Sequence, residues 1–104
     1  MKTTQALVVL AAMAMASAAQ AASHGVVKFN VPACYAQNDA KIVSNALSHK
    51  DFAAILTLLE DGRCLNLNSG QSVYLMASSI GYVRVRIPGT IKEVWVFSEA
   101  VTFH

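Results

Sequence analysis

The sequence predicts an α+β fold in which a disulfide-closed αα-hairpin precedes a set of short antiparallel strands. Three observations carry this. The apolar pattern changes from the helical to the strand period after Cys64. The only two cysteines, Cys34 and Cys64, bracket the helical stretch. Gly- and Ser-containing turns then punctuate the chain at short intervals.

The front of the chain is set apart first. The 104 residues are 55% hydrophobic and 13% charged, with a formal charge of +2 and a mean hydropathy of +0.44. Much of that apolar excess lies in Ala6 to Ala16, an unbroken run behind the positive Lys2. Ala19-Gln20-Ala21 supplies the small-x-small pattern that signal peptidase reads, so residues 1–21 are expected to be a signal peptide cleaved after Ala21. The run is shorter than the roughly 20 residues a membrane-spanning helix needs. No cysteine stands close behind it, which argues against a lipid anchor. Residues 22–104 are then one domain of 83 residues, averagely apolar and with a net charge of +1. That balance leaves no basic footprint for nucleic acid.

The elements follow in order. Val26 to Val31 alternates, with Val27, Phe29 and Val31 on one side, and reads as a strand stopped by Pro32. Asn38 or Asp39 can cap a first helix with Ile42, Val43, Ala46 and Leu47 on one stripe. Asp51 can cap a second, with Phe52, Ile55, Leu56 and Leu59 facing inward. Gly62 suits the position after that helix, with Arg63 beside its negative end. An αα-hairpin brings the start of the first helix beside the end of the second, where Cys34 and Cys64 stand. In an oxidising compartment such a pair is read as a disulfide, which a domain this small needs. Val73 to Ala77, Val83 to Ile87 and Val94 to Phe97 are three strands, separated by Ser78-Ser79-Ile80-Gly81 and by a type II turn at Pro88-Gly89. A last strand is expected around Val101 to Phe103.

Residues 69–101 contain Ser-Gly-Gln-Ser-Val-Tyr-Leu-Met, Gly-Tyr-Val-Arg-Val-Arg-Ile and Glu-Val-Trp-Val-Phe-Ser-Glu-Ala-Val. This resembles bacterial SH3-like (SH3b) domains. That family has a small-residue–Gly pair entering a strand, a "YVKVR"-like strand, then "GWV", a single 3₁₀ turn and a closing strand. The likeness spans about residues 65–103. The family's opening strand and long RT-type loop are missing, and the helical hairpin stands in their place. The resemblance implies a small SH3-like antiparallel β-barrel over residues 65–104, packed with the strand and hairpin of residues 26–64. It also implies a non-catalytic targeting module for peptidoglycan or an envelope protein.

Alternation sorts the strands into two faces. Val73, Leu75, Val83, Val85, Ile87, Val94 and Val96 share one, the expected core. The other carries Tyr74, Met76, Tyr82, Arg84, Arg86, Glu93, Trp95 and Phe97. Either the helices cover part of it, or it is an open surface for a peptide, glycan or protein. Tyr, Trp and Arg are the types that concentrate binding energy. Tyr74, Tyr82, Arg84, Arg86, Trp95 and Phe97 are the candidate binding residues.

Catalytic patterns are missing from the sequence. It has no Gly-rich phosphate loop, no G-x-S-x-G and no H-E-x-x-H, and His24, His49 and His104 are scattered without ligand spacing. Glu60 and Asp61 are expected to be solvated beside Arg63, and His49 to lie on the surface of the inter-helix turn. Glu93 and Glu99, flanking Trp95, are the only carboxylates that could suggest glycoside hydrolysis. The expectation is therefore a periplasmic or secreted binding module without cofactor or metal. The alternatives are an inhibitor or host-directed factor acting on an enzyme such as a lysozyme or protease, and a structural subunit of an envelope complex.

Overall fold

The structure, a computed structural model, describes residues 23–104, so the expected signal peptide lies outside the described residues. Strand β1 is His24–Val27 and β2 Val31–Cys34; helix α1 is Gln37–Ser48 and α2 Phe52–Glu60. Then come β3 Cys64–Leu67, β4 Ser72–Ser79, β5 Tyr82–Arg86 and β6 Glu93–Phe97. A single 3₁₀ turn, Ser98–Ala100, leads into β7, Val101–Phe103. The seven strands form one antiparallel sheet in the order β3-β2-β6-β5-β4-β1-β7. The fold is α+β, as the sequence predicts.

One face of the sheet is the main core. Val27, Val31, Ala33, Leu67, Val73, Val83, Val85, Val94, Val96, Ala100 and Val101 are buried together, with Leu75 and Ile87 packed against them. Each fully buried valine of this kind contributes about 1.5–3 kcal/mol. Leu67 on one edge strand and Val101 on the other belong to the same core.

The expected strand over 26–31 is two strands. The chain turns at residues 28–30, where the Lys28 N–H donates to Ala100 O (2.7 Å) and Asn30 Oδ1 accepts from the Ser69 N–H (2.8 Å). Val27 and Val31 both reach the core, but Phe29 swings out to lie 42% exposed. Its ring centroid is 6.0 Å from that of Phe97. Pro32 sits inside β2 instead of stopping it. It faces Asn66 across β3, and β6 joins β2 only at Cys34–Trp95, so the missing N–H breaks no ladder bond. Register also shifts between Leu75 and Ala77, a bulge that leaves Met76 exposed.

The helices form a second core on the opposite face. Cys34, Ala40, Val43, Leu58 and Cys64 are buried, with Leu47, Leu59, Tyr82 and Trp95 packed against them. The expected stripes shift here. Ile42 is 43% exposed, and Phe52 and Leu56 are 63% and 56% exposed, while Ile55 and Leu58 turn inward. All of α2 except Thr57 and Glu60 is apolar, so periodicity could not choose its buried face. The ends of the helix choose it. Asp51 Oδ1 accepts from the Ala54 N–H (3.3 Å), as predicted. At the far end Gly62, at φ 73°, closes a Schellman motif through Gly62 N–H to Leu59 O and Arg63 N–H to Leu58 O. The start of α1 differs from expectation. Ala36 is its N-cap without a side-chain bond, and Asp39 is buried in the first turn, clasped by both Nε and Nη2 of Arg63. Arg63 therefore pairs with Asp39 and not with Glu60 or Asp61. The α1 end is a second Schellman motif, in which Lys50 takes the left-handed position (φ 56°) with N–H to Leu47 O.

Cys34 and Cys64 are disulfide-bonded and are direct partners across β2 and β3. The turn at Pro88-Gly89 is as predicted, with the Thr90 N–H donating to Ile87 O (3.1 Å) and Gly89 at φ 80°.

Two stability predictions follow from these contacts. Reduction, or Cys34→Ser with Cys64→Ser, should cost about 3–4 kcal/mol in urea unfolding, since the bridge closes about 30 residues. An unchanged transition midpoint would contradict the constraint. Lys50→Gly should stabilise by about 0.5–1 kcal/mol by removing a left-handed non-glycine residue, read as a melting point raised by a few degrees.

Candidate functional site

Strand register gathers the candidate residues into rows across the outer face of the sheet. His24 on β1 is opposite Tyr74 on β4, Tyr74 opposite Arg86 on β5, and Arg86 opposite Glu93 on β6. The next row runs from Ala77 through Arg84 and Trp95 to Cys34. The third places Ser79, Tyr82 and Phe97 side by side. Directly opposed side chains on one face are close enough to interact, so the register itself builds the site.

Both arginines are held over rings. The Arg86 guanidinium carbon lies 5.0 Å from the Tyr74 ring centroid, and its Nη1 donates to Thr90 O (3.2 Å) in the following turn. The Arg84 guanidinium carbon lies 5.7 Å from the Trp95 centroid. Its Nε, itself shielded from water, is 3.1 Å from Glu93 Oε1, an ion pair that lacks hydrogen-bond alignment. The side chains of this pair are 39% and 38% exposed, so the pairing orients more than it stabilises. Stacking of this kind adds about 0.5–1 kcal/mol at exposed sites. Its main effect is to fix two long side chains in place.

The six candidate residues divide between two environments. Trp95 and Tyr82 lie beneath the helices, against Cys34, Val43 and Leu58. Phe97 is half-buried and packs toward the valine core and Phe29. Tyr82 and Phe97 also line a half-open cleft of about 380 Å³ with Ser44, Leu47, Ser48, Gly81 and Glu99. Tyr74, Arg84 and Arg86 keep partial exposure on the part of the face beyond the helices. His24 joins this open end, its ring centroid 5.9 Å from those of Tyr74 and His104.

Sequence reasoning missed His24, because it started the first strand at Val26. It also missed Ser44 and Ser48, which only helix packing brings to Tyr82. Glu93 and Glu99 do not form a pair around Trp95. Glu93 is in the arginine row, whereas Glu99 lies past the other end of β6 beside the cleft, about 13 Å of strand away.

The two environments respond differently to truncation. Trp95→Ala should cost about 2–4 kcal/mol of unfolding free energy, because the ring packs under the helices. Arg86→Ala should cost about 1 kcal/mol or less. Equal losses in chemical denaturation would show that the division is wrong.

Comparison of the chain with protein-family models, with curated proteins and with solved structures finds no match, so the functional reading rests on geometry.

Proposed function

We propose that the chain is an exported, non-catalytic binding module of the cell envelope whose open sheet face takes peptidoglycan. The observation that carries this reading is the pair of guanidinium groups held over rings, Arg86 on Tyr74 and Arg84 on Trp95. Peptidoglycan offers sugar faces that stack on the half-exposed Tyr74 and peptide carboxylates that match the planar arginine fork. Both groups are set in place by strands, a more precise support than loops.

In this reading the sheet is a small, strongly bent SH3-like barrel. Its support is the shared core of Leu67 and Val101 from the two edge strands, with the 3₁₀ turn between β6 and β7. The two helices, joined by three residues and sharing Val43 and Leu58 in one core, act as an αα-hairpin in place of the RT-type loop. Export to the periplasm or beyond is supported by the disulfide. Among the described residues no helix is long and apolar enough to cross a membrane.

A second reading, an envelope-protein partner met through the helices, is favoured by the exposure of Ile42, Phe52 and Leu56. Co-sedimentation with purified peptidoglycan separates the two. The wild-type protein should pellet, an Arg84→Ala/Arg86→Ala protein should stay in solution, and Phe52→Ser/Leu56→Ser should pellet normally. A double-arginine variant that pellets like wild type, or a wild type that never pellets, rejects the peptidoglycan reading.

A further inference from the structure

The outer face has a concavity of its own at the end the helices cover. Ser44, Leu47 and Ser48 stand three and four residues apart at the end of α1, so they share one side of the helix. With Gly81, Tyr82, Phe97 and Glu99 they line the half-open cleft of about 380 Å³. That volume falls within the range of small-molecule sites. Tyr74, Arg84 and Arg86 are not in the lining, so the cleft is separate from the arginine row.

Sheet and helix each hold one wall. Tyr82 and Phe97 are direct partners across β5 and β6. The Ser98 N–H donates to Gly81 O (2.9 Å), which carries that pairing one step further and sets the next residue, Glu99, in the lining. The wall opposite is α1, anchored by Leu47, which packs with Tyr82 and Trp95 around Val43 and Leu58.

The charges and dipoles at the cleft favour a cation. Glu99 is the charged residue of the lining. Among the described residues the ion pairs are Arg63 with Asp39 and Arg84 with Glu93, so Glu99 has no cationic partner there. The last turn of α1 brings the negative end of the helix to the cleft and holds no basic residue. The Ser48 hydroxyl donates to Ser44 O (3.2 Å), which leaves its lone pairs free to accept. Nearby cations are held elsewhere. Arg84, two residues along β5 from Tyr82, is drawn to Glu93 and the Trp95 ring, and His49 Nδ1 is tied to Asn45 O (2.9 Å). We infer that the cleft binds a primary ammonium group on a short aliphatic stem. Its three N–H donors suit the Glu99 carboxylate and the Ser48 hydroxyl, and its methylenes suit Leu47 and the Tyr82 and Phe97 rings, whose π-systems also attract the charge. A carboxylate or phosphate would meet only like charge there, and a quaternary ammonium would bring no donor.

Nuclear magnetic resonance titration of the isotope-labelled protein with pentylammonium chloride tests this. The amide signals of Ser48, Gly81, Tyr82 and Glu99 should shift together and saturate at millimolar ligand. Pentanol has the same stem without the charge, and tetramethylammonium has the charge without donors. Each should bind at least about fivefold more weakly. Glu99→Gln should weaken pentylammonium by about the same factor. Glu60→Gln, which removes an exposed carboxylate at the end of α2, should leave binding unchanged. Nα-acetyl-lysine methylamide then identifies the source: affinity equal to that of pentylammonium assigns the site to a lysyl side chain of a peptide, and weaker binding assigns it to a free amine. Equal binding by the Glu99→Gln protein, equal binding of pentanol or tetramethylammonium, or shifts that never saturate would overturn the inference. Pelleting with peptidoglycan depends on Arg84 and Arg86, so either reading can fail without the other.

Discussion

The bond between Cys34 and Cys64 is the constraint from which the rest of the structure follows. The two residues are opposed in β2 and β3, so the bridge pins the outermost pair of strands at the point where the chain leaves for the helices and returns. Both strands are only four residues long, and a short edge pair of this kind is marginal alone. Cys34 also sits opposite Trp95 in β6 and is buried with Val43 and Leu58 of the helices. Sheet edge, helical layer and the covered end of the outer face therefore meet at one covalent link. Arg63, the residue before Cys64, reinforces it by reaching back to the buried Asp39.

That arrangement gives the sheet two unlike faces. The inner one is almost all valine, which packs well on a pleated surface and has few rotamers to lose. The outer one is shared. The helices take the end with Cys34, Trp95 and Tyr82, because their own apolar stripe has to be buried against something. The far end, with Tyr74, Arg84, Arg86 and His24, is left to other contacts. Trp95 links the two halves, packed under the helices on one side and under the Arg84 guanidinium on the other.

The legible features were those set by local rules. Strict alternation identified Val83, Val85, Val94 and Val96 as core, and Pro88-Gly89 and Gly62 as punctuation. The illegible ones depended on partners distant in sequence. The break at Lys28–Asn30 is made by Ala100 and Ser69, and the position of Asp39 by Arg63. Phe52 and Leu56 read as inward because α2 is apolar nearly all round. Its caps and the disulfide then set its rotation, turning Ile55 and Leu58 inward.

The sequence by itself determined the fold class, the disulfide, most strand positions and the two-faced character of the sheet. Each follows from period, turn chemistry or the count of cysteines, which act over a few residues or through a single possible pairing. Only the tertiary structure decided which aromatics lie under the helices, and that His24, Tyr74, Arg86 and Glu93 share one row. Strand order and register place His24 and Glu93, 69 positions apart, in one row, and no local pattern encodes that arrangement.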